Sequence, residues 1–292
     1  MAIVLGPNRY GKAENRLLRV YRDTPRHDIR DLNVSTSLWG DFADAHVLGD
    51  QAKVLPTDTQ KNTVFAFAKE HGVGEIEDFA LTLGRHFLTD VESVDGARID
   101  VEEYGWERIE VDGRGHDHAF MRTGGGIRTT SVTVEEGRAW VVAGLKDLTV
   151  LKSTGSEFAG YLRDRFTTLP ETRDRVLATS LEARWRYSAP DVDWADSYAA
   201  VRTILLSTFA ITHSRALQQT LWEMGRHVLE ARPEIAEVRL TAPNRHHFAV
   251  DLAPFGLANP NEVFHAADRP YGLISASVLR DDAPPAGSAW DA

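Results

Sequence analysis

The sequence predicts a duplicated α+β protein with antiparallel sheets. Three observations predict it: two-residue alternation in several segments, two consecutive helical segments in each half, and the same order of strands, helices and strands stated twice. Identity between the halves is negligible, so the repeat is one of pattern. The first unit is expected over residues 1–137 and the second over 138–280, while 281–292, "DDAPPAGSAWDA", reads as a loose C-terminal tail.

In chain order, "RLLRVYRD" (16–23) and "DIRDLNVSTSLWGDF" (28–42) are expected as strands joined by a turn around Pro25. Leu32, Val34, Thr36 and Leu38 alternate with polar neighbours, as a half-buried strand requires. A helix follows from Asp58 to about His71, with Thr57 or Asp58 able to serve as N-cap. A second spans "EIEDFALTLGRHFL" (75–88), where Ile76, Phe79, Leu83 and Phe87 fall at helical spacing. Then come the β-like segments "RIDVEEYGWERI", "DHAFMRT" and "IRTTSVTVEE", with "GGG" at 124–126 as a turn and the joint near Gly137. In the second half "LTVLKST" (148–154) and "LEARWRYS" (181–188) read as strands, and Ala183, Trp185 and Tyr187 alternate. A long amphipathic helix starts near Asp193 and another spans roughly 214–231, followed by the strands "IAEVRL", "HHFAVDL" and "YGLISASVL".

Composition narrows the function. At 292 residues and 42% hydrophobic content the chain can bury one large core or two ordinary ones. A net charge of -10 argues against a nucleic-acid partner, which wants a basic stripe, but permits an anionic small molecule if cations are concentrated in one pocket. The absence of cysteine removes disulfides, thiolate metal sites and thiol nucleophiles. No apolar run reaches the length of a membrane span, and the start, "MAIVLGPNRYGKAENR", lacks the features of a signal peptide. A cytoplasmic protein is the expectation.

Taken singly, the polar motifs are modest. Lys12 ends a Gly/Pro-punctuated loop, where most lysines are solvated. "KSTGSEF" (152–158) lacks phosphate-loop spacing, and Phe158 alone reads as core. Arg173 and Arg175 sit among acids, where surface pairing is the ordinary outcome. "HDH" (116–118) and "HH" (246–247) suggest metal at most weakly, since neither has a carboxylate at ligand spacing. No dinucleotide fingerprint or nucleophile elbow is present. The helix start "PTDTQKNTVFAF" (56–67) carries more polar groups than a cap needs.

Together, "YGK", "TDTQKNT", "GHDHAF", "LTVLKSTGSEF", "TTLPETRDR", "LQQTLWEMG", "PNRHHF", "NPNEVF" and "DRPYGLI" resemble the urate oxidase (uricase) family, in family order from about Val4 to Ile274. The resemblance implies two tandem tunnelling-fold units, whose antiparallel sheets close into a barrel in the oligomer with helices on the outer face. It implies oxidation of urate by O₂ and water to 5-hydroxyisourate and hydrogen peroxide, without metal or organic cofactor. A homotetramer with active sites at subunit interfaces is implied as well. By matching motif positions, Lys12, Thr57 and His246 would form a proton relay, and Thr57 and Asp58 of a neighbouring subunit would offer backbone N–H groups. Phe158 would stack on the purine, Arg175 would grip it in two places, and Gln218 would pair with the opposite edge. Leu217, where valine is also common, would touch by its backbone, and Asn244 would sit beside the O₂ or water site. Arg245 stands where lysine is frequent, and the ending "AWDA" lacks the peroxisomal signal of eukaryotic members. The rival readings are a metal-holding cyclohydrolase or pterin synthase of the same fold, and an inactive purine-binding homologue.

Overall fold

The computed structural model describes residues 1–291, which form two compact units. The first takes Met1–Gly144, Arg186–Ala195 and the chain from Pro284 on; the second takes Leu145–Trp185 and Asp196–Ala283.

The first unit opens with β1 (Tyr10–Tyr21) and β2 (Asp28–Gly40), paired antiparallel with Leu17 opposite Leu32. A short helix α1 (Ala43–Val47), not anticipated from the periodicity, leads to α2 (Thr57–Glu70) and α3 (Ile76–Asp90). Strands β3 (Val94–Tyr104), β4 (Trp106–Val111), β5 (Arg114–Arg122), β6 (Ile127–Glu135) and β7 (Arg138–Lys152) follow. The sheet runs β1-β2-β3-β6-β7, and β4 and β5 make a separate hairpin. Alternation puts Leu32, Val34 and Leu38 on one face of β2, fully buried, and α3 lies over β3 and β6 with Phe79, Leu83 and Phe87 inward.

The second unit continues from the end of β7 through β8 (Leu177–Tyr187), α4 (Trp194–Ile211), α5 (Leu217–Ala231) and β9 (Ile235–Arg245). It closes with β10 (His247–Ala249), β11 (Phe264–Ala266) and β12 (Gly272–Leu279). The order is β7-β8-β9-β12, with β10 and β11 paired outside the main sheet. The helix α5 packs on β9 and β12, burying Leu221, Met224 and Val228 against Val238, Leu240 and Val278.

Three expectations need correction. Neither Thr57 nor Asp58 is the N-cap of α2: Pro56 holds that position with φ −54°, and no side chain caps the helix. The Asp58 carboxylate instead takes the Lys61 ammonium and accepts from Asn62 Nδ2 at 3.0 Å. The C-terminal segment is not a loose tail. It forms a 3₁₀ turn at Gly287–Trp290, buries Ala289, and is held by the buried Arg98, which donates to the Ala289 and Asp291 carbonyls. Ser288 Oγ adds a bond to Glu135 at 2.8 Å. Composition marked the segment as polar and Pro-rich, but its anchor lies on a strand far away in sequence. Finally, Gly137 turns between β6 and β7 with φ 66°, whereas the two compact units divide further on, between Gly144 and Leu145 inside β7.

Candidate active site

In the second unit, the chain between β7 and β8 folds back on itself and on the start of α5. Phe158 and Thr172 exchange backbone hydrogen bonds at 2.8 and 3.0 Å, and the Arg175 N–H donates to the Ser156 carbonyl at 2.9 Å. A parallel bridge joins Ser156 to Ser214, so the "STGS" turn is pinned beside the segment that enters α5. Lys152, the cation of that motif, is not directed to a phosphate. Its ammonium donates to the Phe209 and Thr212 carbonyls, covering the C-terminal end of α4, where a cation complements the helix dipole.

This fold-back shapes a cavity of about 790 Å³. Phe158, Arg175, Leu217, Gln218, Asn244 and His246 all line it, so six of the residues singled out in sequence meet in one place. Each arrives differently. Arg175 sits just before β8, Leu217 and Gln218 are the first residues of α5, and Asn244 lies near the end of β9, opposite Gly272 of β12. Leu217 is buried, whereas the Gln218 amide is exposed and free to meet a ligand.

The electrostatics suit an anion. Arg175 is half-buried, its guanidinium carbon lies 5.4 Å from the Phe158 ring centroid, and no carboxylate pairs with it among the described residues. Burial lowers its pKa from the usual arginine value, yet a guanidinium stays charged in any protein setting. The cavity therefore holds a positive charge that makes no ion pair among the described residues, although the Asp174 carboxylate also lines it. Burial, and then the Arg175 charge, also lower the pKa of His246, which favours the neutral form of its imidazole.

Some lining residues escaped the sequence reading. Phe248, Phe264, Ile274 and Arg269 face the cavity, and the His246 and Phe248 rings stack at 5.7 Å. Tyr161, which does not line the cavity, stacks on Phe158 at 4.7 Å and 17° and so braces that ring. Its only signal was an aromatic three residues after Phe158, in a loop where no periodicity guides interpretation. Arg173 is exposed and pairs with Glu157 at 3.7 Å, its ordinary surface outcome.

Lys12, Thr57 and Asp58 belong to the first unit. Lys12 lies at a bulge in β1, and its backbone N–H donates to Thr36 Oγ1 at 3.2 Å. Thr36 Oγ1 donates to the fully buried Gln60 Oε1 at 2.7 Å, and Gln60 Nε2 reaches the Leu55 carbonyl at 3.5 Å. This buried chain ties the strand carrying Lys12 to the turn that starts α2. The Asp58 carboxyl is held below the usual carboxylate range, chiefly by Lys61, with a contribution from the Lys12 charge. Thr57, first residue of α2, is part-buried, and first-turn N–H groups have no partner within a helix. In the β4–β5 hairpin His116 and His118 meet edge-on at 4.5 Å, and no three His, Asp or Glu side chains converge as metal ligands among the described residues.

The sequence profile of the Uricase family matches residues 8–133 and 141–275. A uricase from Arthrobacter globiformis is 54% identical over 279 residues, covering 96% of this chain and 91% of the relative. One from Danio rerio is 37% identical over 277 residues, covering 93% of each. The crystal structure of Arthrobacter globiformis uricase superposes with a TM-score of 0.93 at 53% identity, covering 98% of both chains. That of a uricase from Bacillus fastidious gives 0.79 at 25% identity, covering 93% of both.

Proposed function

The chain belongs to the uricase family, and from that membership we propose that it oxidises urate with O₂ and water to 5-hydroxyisourate and hydrogen peroxide, without a cofactor. The observation that carries the reading is the Arg175 guanidinium, without an ion pair among the described residues, beside Phe158, Gln218, Asn244 and His246 in one cavity. A flat, electron-rich anion fits such a site. Phe158 stacks on the purine, Arg175 holds one edge through two parallel N–H bonds, and the Gln218 amide pairs with the other edge through donor and acceptor. Leu217 contributes its backbone, and Asn244 stands beside O₂ or water.

The chemistry then needs protons moved rather than a metal. Urate stripped to its dianion gives two electrons to O₂, water adds to the purine carbon that has lost them, and O₂ leaves as hydrogen peroxide. We assign the proton handling to Lys12, Thr57 and His246. Thr57 and Asp58 of a neighbouring subunit offer first-turn N–H groups of α2 to the anion.

This arrangement calls for a homotetramer with sites at its interfaces. Supporting it, β1 ends the sheet of the first unit with Leu18 exposed, and β12 ends that of the second with Leu273 and Leu279 exposed. Open edges of this kind invite pairing, and closure of the sheets into a barrel covers them.

The test is direct. Purified protein, dialysed against a chelator, is mixed with urate in air while ultraviolet absorbance and peroxide are followed. Absorbance loss with matching peroxide is expected. Activity removed by the chelator and restored by one added metal would overturn the cofactor-free reading, and purine binding with no turnover would overturn the enzymatic one.

A further inference from the structure

Among the described residues, the Arg175 guanidinium has one hydrogen-bond partner. Its Nε donates to the hydroxyl of Ser156 at 3.2 Å, and its terminal nitrogens have no protein acceptor among the described residues. Ser156 is itself fully buried. Its carbonyl takes the Arg175 backbone N–H at 2.9 Å, and the turn around it is clamped to Ser214 on both sides: Glu157 N–H donates to the Ser214 carbonyl at 2.8 Å, and Ser214 N–H to the Gly155 carbonyl at 2.9 Å. Behind Ser214, Thr220 Oγ1 on α5 donates to the Ser214 hydroxyl at 2.8 Å. The Ser156 hydroxyl therefore sits on a backbone fixed from two directions.

An arginine side chain has four rotatable bonds, and ordering it on a ligand costs conformational entropy unless something orders it first. A carboxylate partner would order it but would also cancel the charge and compete for the ligand. A neutral hydroxyl orders it without either penalty. We infer that Ser156 is a positioning residue for anion binding: by holding Arg175 Nε, its hydroxyl aims the guanidinium so that both terminal nitrogens remain for the ligand. This rests on the reading of the cavity as the urate site.

The test compares wild type, Ser156→Ala, Arg175→Lys and the double variant in urate turnover and in xanthine binding, with crystal structures of wild type and Ser156→Ala. Lysine has a carbon where arginine has Nε, so it lacks the donor that meets the serine in the wild type. In the Arg175 background, Ser156→Ala should raise KM for urate and Kd for xanthine on the order of tenfold, as loss of a hydrogen bond to a charged group does. The rate constant kcat should move much less, and the guanidinium should leave its position in the crystal. In the Arg175→Lys background the same serine change should leave xanthine affinity nearly unaltered. Equal losses in both backgrounds, or an unmoved guanidinium, would overturn the assignment. Should Ser156→Ala fold poorly, Ser156→Cys preserves volume, is a weak acceptor, and must show the same pattern. If the wild type turns over no urate, the functional reading fails on that result alone, while Ser156 is still judged by where the guanidinium lies.

Discussion

Arg175 and Lys12 are both cations, and their surroundings separate their duties. Arg175 is half-buried in the cavity and makes no ion pair among the described residues, which fits a fixed anchor. Lys12 sits on a strand bulge beside the start of α2, tied there by Thr36 and Gln60, which fits a group that meets Thr57 and passes a proton. Lys12→Met should therefore lower kcat at least on the order of 10²-fold, the lower end for general acid–base catalysis, while xanthine still binds. Strong loss of xanthine binding with normal turnover at saturation would make Lys12 an anchor instead. Neither role could be read from the two residues alone, because a lysine in a turn and an arginine among acids are ordinary surface features. Both roles are proposed from the residues' place in a long ordered set of motifs.

Glu77 is a different kind of residue. It is buried at the start of α3, 2.8 Å from Arg128, which also meets Glu75 at 2.7 Å. Burial, opposed by Arg128, pushes its carboxyl up to about 7 from 4.5. The folded state thus binds this proton more tightly than the unfolded state. The stability it contributes is complete below about pH 4.5 and is lost as pH rises toward 7. Glu77→Gln keeps the shape without the buried charge, and Arg128 keeps Glu75. Thermal unfolding should show the variant more stable at pH 8, by on the order of 1 kcal/mol, and flatter in its pH response between those two values. A variant less stable at pH 8 would contradict this account of the buried cluster.

At the scale of elements, periodicity carried most of the fold. The helices α2, α3, α4 and α5 lie where helical spacing put them, because each buries one face. By contrast, β7 runs from Arg138 to Lys152 and not only over the expected 148–154, and β1 begins at Tyr10, before the expected 16. Short pieces with little buried surface, such as α1 and β11, left no periodic trace. The anchored C-terminal segment was missed because its partners, Arg98 and Glu135, are distant in sequence. The contact of α5 with β12 was equally hidden. It depends on Gly225, where an added Cβ would fall 2.5 Å from Val278 Cγ2. Gly225→Ala gains helix propensity but must push the helix off the sheet, so it should destabilise by about 1–3 kcal/mol, the usual range for overpacking. An unchanged or higher melting temperature would show that α5 has slack over β12.

At the scale of the whole molecule, the first unit is assembled from three separate pieces of chain, an arrangement that local pattern cannot reveal. The residues assigned to chemistry are divided between the units: Lys12, Thr57 and Asp58 belong to the first, and Phe158, Arg175, Gln218, Asn244 and His246 to the second. As proposed, these halves form one site across a subunit interface. Mixing inactive Thr57→Ala with inactive Arg175→Ala, after dissociation and reassembly, measures it. At a symmetric interface between unlike subunits, one of the two sites receives both intact halves and the other receives neither. Random reassembly should therefore return about a quarter of wild-type activity per subunit. Mixed tetramers that are verified by mass and yet remain inactive would place each site within a single chain and contradict the account.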